Sequence, residues 1–206
     1  MNELFMIKKT IIFDFGGVLI DWNPRHVYSK FFNTEAETEW FLENICTSEW
    51  NLSIDKGKPF ATAVKELCTA YPEWSKEIEA FHFRWEDMLG GEISESVLIL
   101  KELQSAGCKI YGLTNWSAET FPIAFERYKF LQTLDGIVVS GAEKLVKPDP
   151  AIFELLLNRY NLTAGNCVFI DDNLHNIKAA GKLGFDTIYF TGPEQLGHEL
   201  RQSGVL

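Results

Sequence analysis

The chain has 206 residues, enough for one large domain or for a core carrying a smaller inserted lobe. Its 46% hydrophobic and 23% charged residues are those of an ordinary soluble globular protein, neither disordered nor fibrous. Twenty-nine acidic residues against 19 lysines and arginines give a formal charge of -10, so a polyanion meets net repulsion and nucleic acid is not an expected partner.

Cys46, Cys68, Cys108 and Cys167 form no C-x-x-C pair and no zinc spacing, which points to a reduced, cytoplasmic setting. The N-terminal run is cut by Asp14 and is too short for a signal peptide, and no apolar stretch is long enough to span a bilayer, so no membrane partner is expected. The Asn-x-Ser/Thr matches at Asn51, Asn115 and Asn161 then carry no meaning. Nothing in the pattern sets an oligomeric state.

In chain order, strand-like runs rich in Ile, Val, Phe and Tyr cover Thr10 to Phe15, Lys109 to Thr114, Gly136 to Ser140, Cys167 to Asp171 and Thr187 to Phe190. Helix-like segments alternate with the later ones: Ala118 to Arg127, Pro150 to Tyr160, Leu174 to Leu183 and Glu194 to Ser203. Strands buried on both faces and alternating with helices predict an α/β fold with a doubly wound, Rossmann-like parallel sheet, whose ligands gather at the carboxyl ends of the strands. The rhythm breaks between the first and second runs. Asn23 to Gly91 carries helical patterns, many aromatic residues and no strand pattern, which predicts an inserted helical cap at 23–91 over a core made of 1–22 and 92–206. Its aromatics are expected to pack the small lobe's own core.

The strand tips are polar. The first run ends in Asp14, beside Gly16 and Gly17; the second ends in Thr114-Asn115; the fourth ends in Asp171-Asp172-Asn173, with Asn176 a helical turn further on. Lys147 precedes the helix opened by Pro150. Singly these segments read as a turn, a capped helix entry or an N-cap. Jointly they offer a nucleophilic carboxylate, a hydroxyl donor, a cation and a second acidic cluster, the set that phosphoryl transfer needs. Asp14 with Asp172 would hold Mg²⁺, a cation that takes hard oxygen ligands. Lys147 and Thr114 would meet the phosphoryl oxygens.

The segments Ile12-Phe13-Asp14-Phe15-Gly16-Gly17-Val18-Leu19, Gly112-Leu113-Thr114-Asn115, Lys147-Pro148-Asp149-Pro150 and Phe169-Ile170-Asp171-Asp172-Asn173 resemble the four motifs of the haloacid dehalogenase-like hydrolases. The 23–91 insertion resembles the helical cap of one branch of that superfamily. The resemblance implies an Mg²⁺-dependent phosphatase acting on a small phosphomonoester, a sugar phosphate first of all, through an aspartyl-phosphate on Asp14. It implies metal ligation by Asp14, the Gly16 carbonyl and Asp172, with Asp171 and Asn176 supporting the metal mainly through waters. Thr114 and Lys147 would bind the phosphoryl group, and the backbone N–H groups of Phe15 and Asn115 would complete its cradle.

One residue departs from the pattern. Most phosphatases of the superfamily carry an acid/base aspartate two residues after the nucleophile, and here Gly16 stands there. Either turnover is slow, or another group does the work, His26 and His175 being nearest in sequence, or the leaving group needs little protonation, as an anomeric sugar phosphate does. The Asp-x-Gly-x-Val form is similar to that of a glucose-1-phosphate phosphatase subgroup. Two alternatives remain: a 2-haloacid dehalogenase, whose chemistry needs no metal, and a non-catalytic protein that keeps a phosphate pocket. Specificity is expected from Trp22, Asn23, Arg25, Glu49, Trp50 and Asp55, with cap hinges near Asp21 to Pro24 and Gly90-Gly91.

Overall fold

The computed structural model describes residues 9–206, so the N-terminal stretch read above as lacking a signal peptide lies outside the described residues. The chain runs β1 (Thr10–Phe13), β2 (Ile20–Trp22), α1 (Arg25–Tyr28), α2 (Glu35–Asn44), α3 (Ser48–Asp55), α4 (Phe60–Ala70), α5 (Ser75–Phe83) and β3 (Leu89–Glu92). It continues through α6 (Ser94–Ser105), β4 (Ile110–Thr114), α7 (Phe121–Arg127), β5 (Gly136–Val139), α8 (Ser140–Glu143) and α9 (Pro150–Tyr160). The last elements are β6 (Cys167–Asp171), α10 (Leu174–Lys182), β7 (Asp186–Tyr189) and α11 (Pro193–Gln202).

Five strands form a parallel sheet in the order β5-β4-β1-β6-β7. The chain winds outward from β1 to β5 and then returns to β6 on the other side, so the order reverses around β1. A crevice opens at such a switch point beyond the strand ends. Strand alternation divides the core. Ile11, Phe13, Val168 and Ile170 join Val97, Leu100 and Leu103 of α6 and Leu196 and Leu200 of α11 in one cluster. Ile12, Leu113, Val138 and Phe169 join Phe153 and Leu156 of α9 and Ile177 of α10 in the other. Both sheet faces are thereby covered, which is why the strands are apolar throughout.

Between Asn23 and Met88 the regular elements are helices, and their aromatics pack against one another. The Tyr28 ring lies 4.9 Å from that of Phe41, Trp50 meets Phe81 edge-on at 4.9 Å, and the Tyr28 hydroxyl donates to the Glu77 carbonyl at 2.9 Å. Thr34 and Glu37 cap α2 reciprocally, so the local sequence starts that helix without tertiary help.

The structure corrects one expectation about this insertion. Leu89–Glu92 is a strand, paired antiparallel with Ile20–Trp22 in register Asp21↔Gly91. Three- and four-residue strands containing Gly90 and Gly91 carry no periodic signal, and only their mutual pairing makes them visible. The two expected hinges are thus the two sides of one ribbon.

Candidate active site

Asp14 follows β1 directly, and its N–H donates to the Ile170 carbonyl at 2.9 Å. Pairing with β6 therefore runs one residue past the strand and sets Asp14 beside Asp171, the last residue of β6. The Phe15 ring behind it passes under β4, where a Cβ on Gly112 would lie 2.2 Å from the Phe15 ring; only glycine fits. Gly17 adopts φ +74°, and a Cβ there would fall 2.2 Å from Asp172 Oδ2, so the turn after Asp14 is pressed against the second acidic cluster.

Lys147 joins the parts. Its side chain is fully buried, with Nζ 2.9 Å from Asp14 Oδ1 and 2.7 Å from Asp171 Oδ2. The Asn115 side chain clamps the lysine backbone on both sides, accepting from Lys147 N–H at 2.8 Å and donating to its carbonyl at 3.0 Å. Asp171 is held in turn by Asn176 Nδ2, 3.1 Å from both carboxylate oxygens, and by the Asn173 N–H at 2.7 Å. Asn173 also caps α10 with its side chain, as its sequence position implied. Asp14 Oδ1 receives a further hydrogen bond from the Phe15 N–H at 2.7 Å. Thr114 is buried as the last residue of β4, between Asp14's strand and β5.

The electrostatics follow from burial and crowding. Burial pushes the Asp14 carboxyl up to about 7, with Asp171 and Asp172 adding to the rise and Lys147 opposing it. Burial works against the charge on Lys147, but Asp14 and Asp171 outweigh it and hold the ammonium above its ordinary value. Asp172 is raised by burial and by Asp171. Asp14, Asp171 and Asp172 each place a carboxylate oxygen within 4.8 Å of the others. Three acids so close resist joint ionisation unless a cation joins them, and an all-oxygen donor set suits a hard divalent ion such as Mg²⁺.

A cavity of about 680 Å³ opens over Asp14 and Asp172. Of the expected specificity residues, Trp22, Asn23 and Arg25 line it, and Asp55 lines a smaller cavity beside Gly16. Arg25 is already engaged by Glu39 through two guanidinium nitrogens. Glu49 is exposed and lines neither cavity, while Trp50 packs in the insertion's core and donates to the Ala63 carbonyl. His26 pairs with Asp21 at 2.9 Å and borders a different cavity, and His175 is an exposed residue of the first turn of α10. Neither histidine is among the residues lining the Asp14 crevice. Residues missed from sequence include Glu39, Glu43, Thr47 and Asn51, which line the crevice from α2 and α3. Their spacing is that of any polar helix face, so no signal could have found them.

No helix among the described residues is long and apolar enough to cross a membrane. The family model for haloacid dehalogenase-like hydrolases matches residues 8–184. The chain is similar to the sesquiterpene phosphatase astK of Aspergillus oryzae, 29% identical over 94% of this chain and 95% of that one. A phosphorylated carbohydrates phosphatase of Thermotoga maritima is 24% identical over 88% of this chain and 84% of that one. Of some longer curated relatives the chain spans only 19% and 36%. Among solved structures, a HAD family enzyme of Bacteroides thetaiotaomicron, bt-2542, in complex with magnesium and inorganic phosphate, aligns with TM-score 0.69 at 23% identity, covering 94% of this chain and 99% of that one. A family match across most of the length, on a parallel five-stranded sheet with Asp14, Lys147 and the Asp171-Asp172 pair at its strand tips, makes this chain a member of the haloacid dehalogenase-like hydrolases.

Proposed function

We propose that the protein is an Mg²⁺-dependent phosphatase that hydrolyses a small phosphomonoester through an aspartyl-phosphate on Asp14. The observation that carries this reading is the buried Lys147 ammonium between Asp14 and Asp171, with an Asp172 carboxylate oxygen within 4.8 Å of both acids. An anionic nucleophile can approach an anionic ester only where positive charge is fixed in advance, and Lys147 is so fixed by Asn115 and Asp171. Asp14 uses Oδ1 for both of its side-chain hydrogen bonds among the described residues, which leaves Oδ2 without a protein donor as the attacking atom. Asp14, Asp172 and the Gly16 carbonyl would hold the magnesium ion, with Asp171 and Asn176 behind them. When bound, it would screen the two anions from each other and polarise the phosphoryl oxygens. Thr114 and the Phe15 and Asn115 N–H groups would receive those oxygens.

Residues 23–91 would act as a cap over the core of 1–22 and 92–206, swinging on the β2–β3 ribbon to admit substrate. The cavity of about 680 Å³ suits a small ester, and a sugar phosphate is the first class to test. A cytoplasmic setting accords with Cys46, Cys68 and Cys167 being thiols.

The test is phosphate release from a panel of sugar phosphates and simple phosphomonoesters, with Mg²⁺ or EDTA, for the wild type and Asp14→Asn. Metal-dependent release that is lost in Asp14→Asn is expected, with anomeric esters leading the panel if no side chain protonates the leaving oxygen. Halide release from 2-haloacids without phosphate release, or turnover that survives Asp14→Asn, would overturn the reading.

A further inference from the structure

The crevice has a second carboxyl group, contributed by the helical insertion. Asp55, the last residue of α3, lines a cavity of about 50 Å³ together with Gly16, Trp85 and Trp116. That cavity shares Gly16, Trp22, Asn51 and Asn115 with the larger one over Asp14, so the two adjoin at the residue that follows the nucleophile by two. A Cβ built on Gly16 would meet nothing within 4 Å, which leaves the space between Asp14's turn and Asp55 open. The cavity exceeds the roughly 10–15 Å³ that one water needs, so a leaving oxygen or a hydrolytic water fits there.

Asp55 is anchored at both its backbone carbonyl and its carboxyl. Ser140, fully buried at the end of β5, donates to the Asp55 carbonyl at 2.6 Å while accepting from the Trp116 N–H at 2.8 Å. Asn51 Nδ2 donates to the Asp55 Oδ2 at 3.0 Å, and the Ser117 backbone faces the same carboxyl and favours its ionised form. Both core loops after β4 and β5 therefore grip this one residue of the insertion. The facing groups are otherwise uncharged apart from Lys147, which acts at longer range.

We propose that Asp55 is the acid/base residue of the reaction, working from the insertion across the gap that Gly16 leaves. This rests on the phosphatase reading above. As Asp14 Oδ2 bonds to phosphorus and the ester P–O bond breaks, the Asp55 carboxylic acid gives its proton to the departing alkoxide, which leaves as the alcohol. Water then attacks the aspartyl-phosphate, Asp55 carboxylate takes its proton, and inorganic phosphate and the Asp14 carboxylate are restored. Burial pushes the Asp55 carboxyl up to about 7, where both forms are populated at neutral pH. The leaving group then needs no special acidity, and the anomeric preference shrinks.

The test compares kcat/KM of wild type and Asp55→Asn on p-nitrophenyl phosphate, whose phenolate leaves unprotonated, and on the best primary-alkyl phosphate of the panel. Loss of about 100-fold or more on the alkyl ester with p-nitrophenyl phosphate within about threefold is expected. An unchanged kcat/KM on the aryl ester, which reports only the steps up to departure of the phenolate, also shows that the variant is folded. An equal loss on both esters, or no loss on either, would overturn the assignment and leave the phosphatase reading standing. If the wild type hydrolyses neither ester, both fall together.

Discussion

Replacing Lys147 with Met nearly keeps the volume of the side chain, shortens it by one atom and removes its charge. At 2.9 and 2.7 Å from two carboxylates, an effective dielectric constant of about 20 gives about 6 kcal/mol of attraction for each pair. Desolvation of the three buried groups offsets most of it, and removing one partner of such a cluster costs about 3–5 kcal/mol. For a chain of this size that is a fall in Tm of about 6–20 °C. The cost depends on pH. Asp14 already has a folded pKa raised to about 7, and without the ammonium, which opposes that rise, it climbs further above its unfolded value. A carboxyl raised on folding binds its proton more tightly in the native state, so stability falls as pH rises from the unfolded to the folded pKa. The gap between wild type and Lys147→Met is therefore narrower at pH 5, where Asp14 is protonated, than at pH 8, where it is ionised. Urea unfolding in EDTA at both pH values measures it, and adding Mg²⁺ at pH 8 recovers part of the loss. A gap that does not change with pH would refute the pairing of Lys147 with Asp14.

Two further outcomes are expected. Gly17→Ala must hold φ +74° and push Asp172 away from a Cβ that would sit 2.2 Å from its Oδ2; it costs about 1–3 kcal/mol in denaturant unfolding and raises the Mg²⁺ concentration for half-maximal activity, whereas an unchanged Mg²⁺ requirement would show that Asp172 is not a ligand. Asp55→Asn removes a carboxyl raised from 3.8 to about 7, so the stability difference between variant and wild type moves in the variant's favour by about 2–3 kcal/mol from pH 5 to pH 8, read from thermal melts. A stability loss at pH 8 would mean that the ionised carboxylate is a net structural partner.

Much of the arrangement was legible before the structure because it is written in local patterns. Strand β6 and helix α9 follow the expected limits residue for residue, Cys167 to Asp171 and Pro150 to Tyr160, since continuous apolar runs and a Pro after an Asp cap are short-range signals. A parallel sheet brings the carboxyl ends of its strands together whatever lies between them, so Asp14, Thr114 and Asp171 could be placed at one crevice from strand endings alone. The aromatic lobe was recognisable as a packed helical unit for a similar reason, since so many rings in one stretch must find one another.

Contacts between distant segments were not legible. Asn115 and Lys147 lie 32 residues apart, and nothing in either segment says that the amide clamps the lysine backbone. The β2–β3 ribbon exists only as a pairing between two stretches that have no strand character of their own. Asp55 is separated by 85 residues from the serine that anchors it. The sequence marked it only as one of six residues expected to set specificity, and its seat beside Gly16 is what suggests proton transfer. Periodicity and composition act along the chain, where a few residues settle the outcome; whether two polar side chains share a desolvated site depends on how the insertion docks on the core, and only the packed structure decides that.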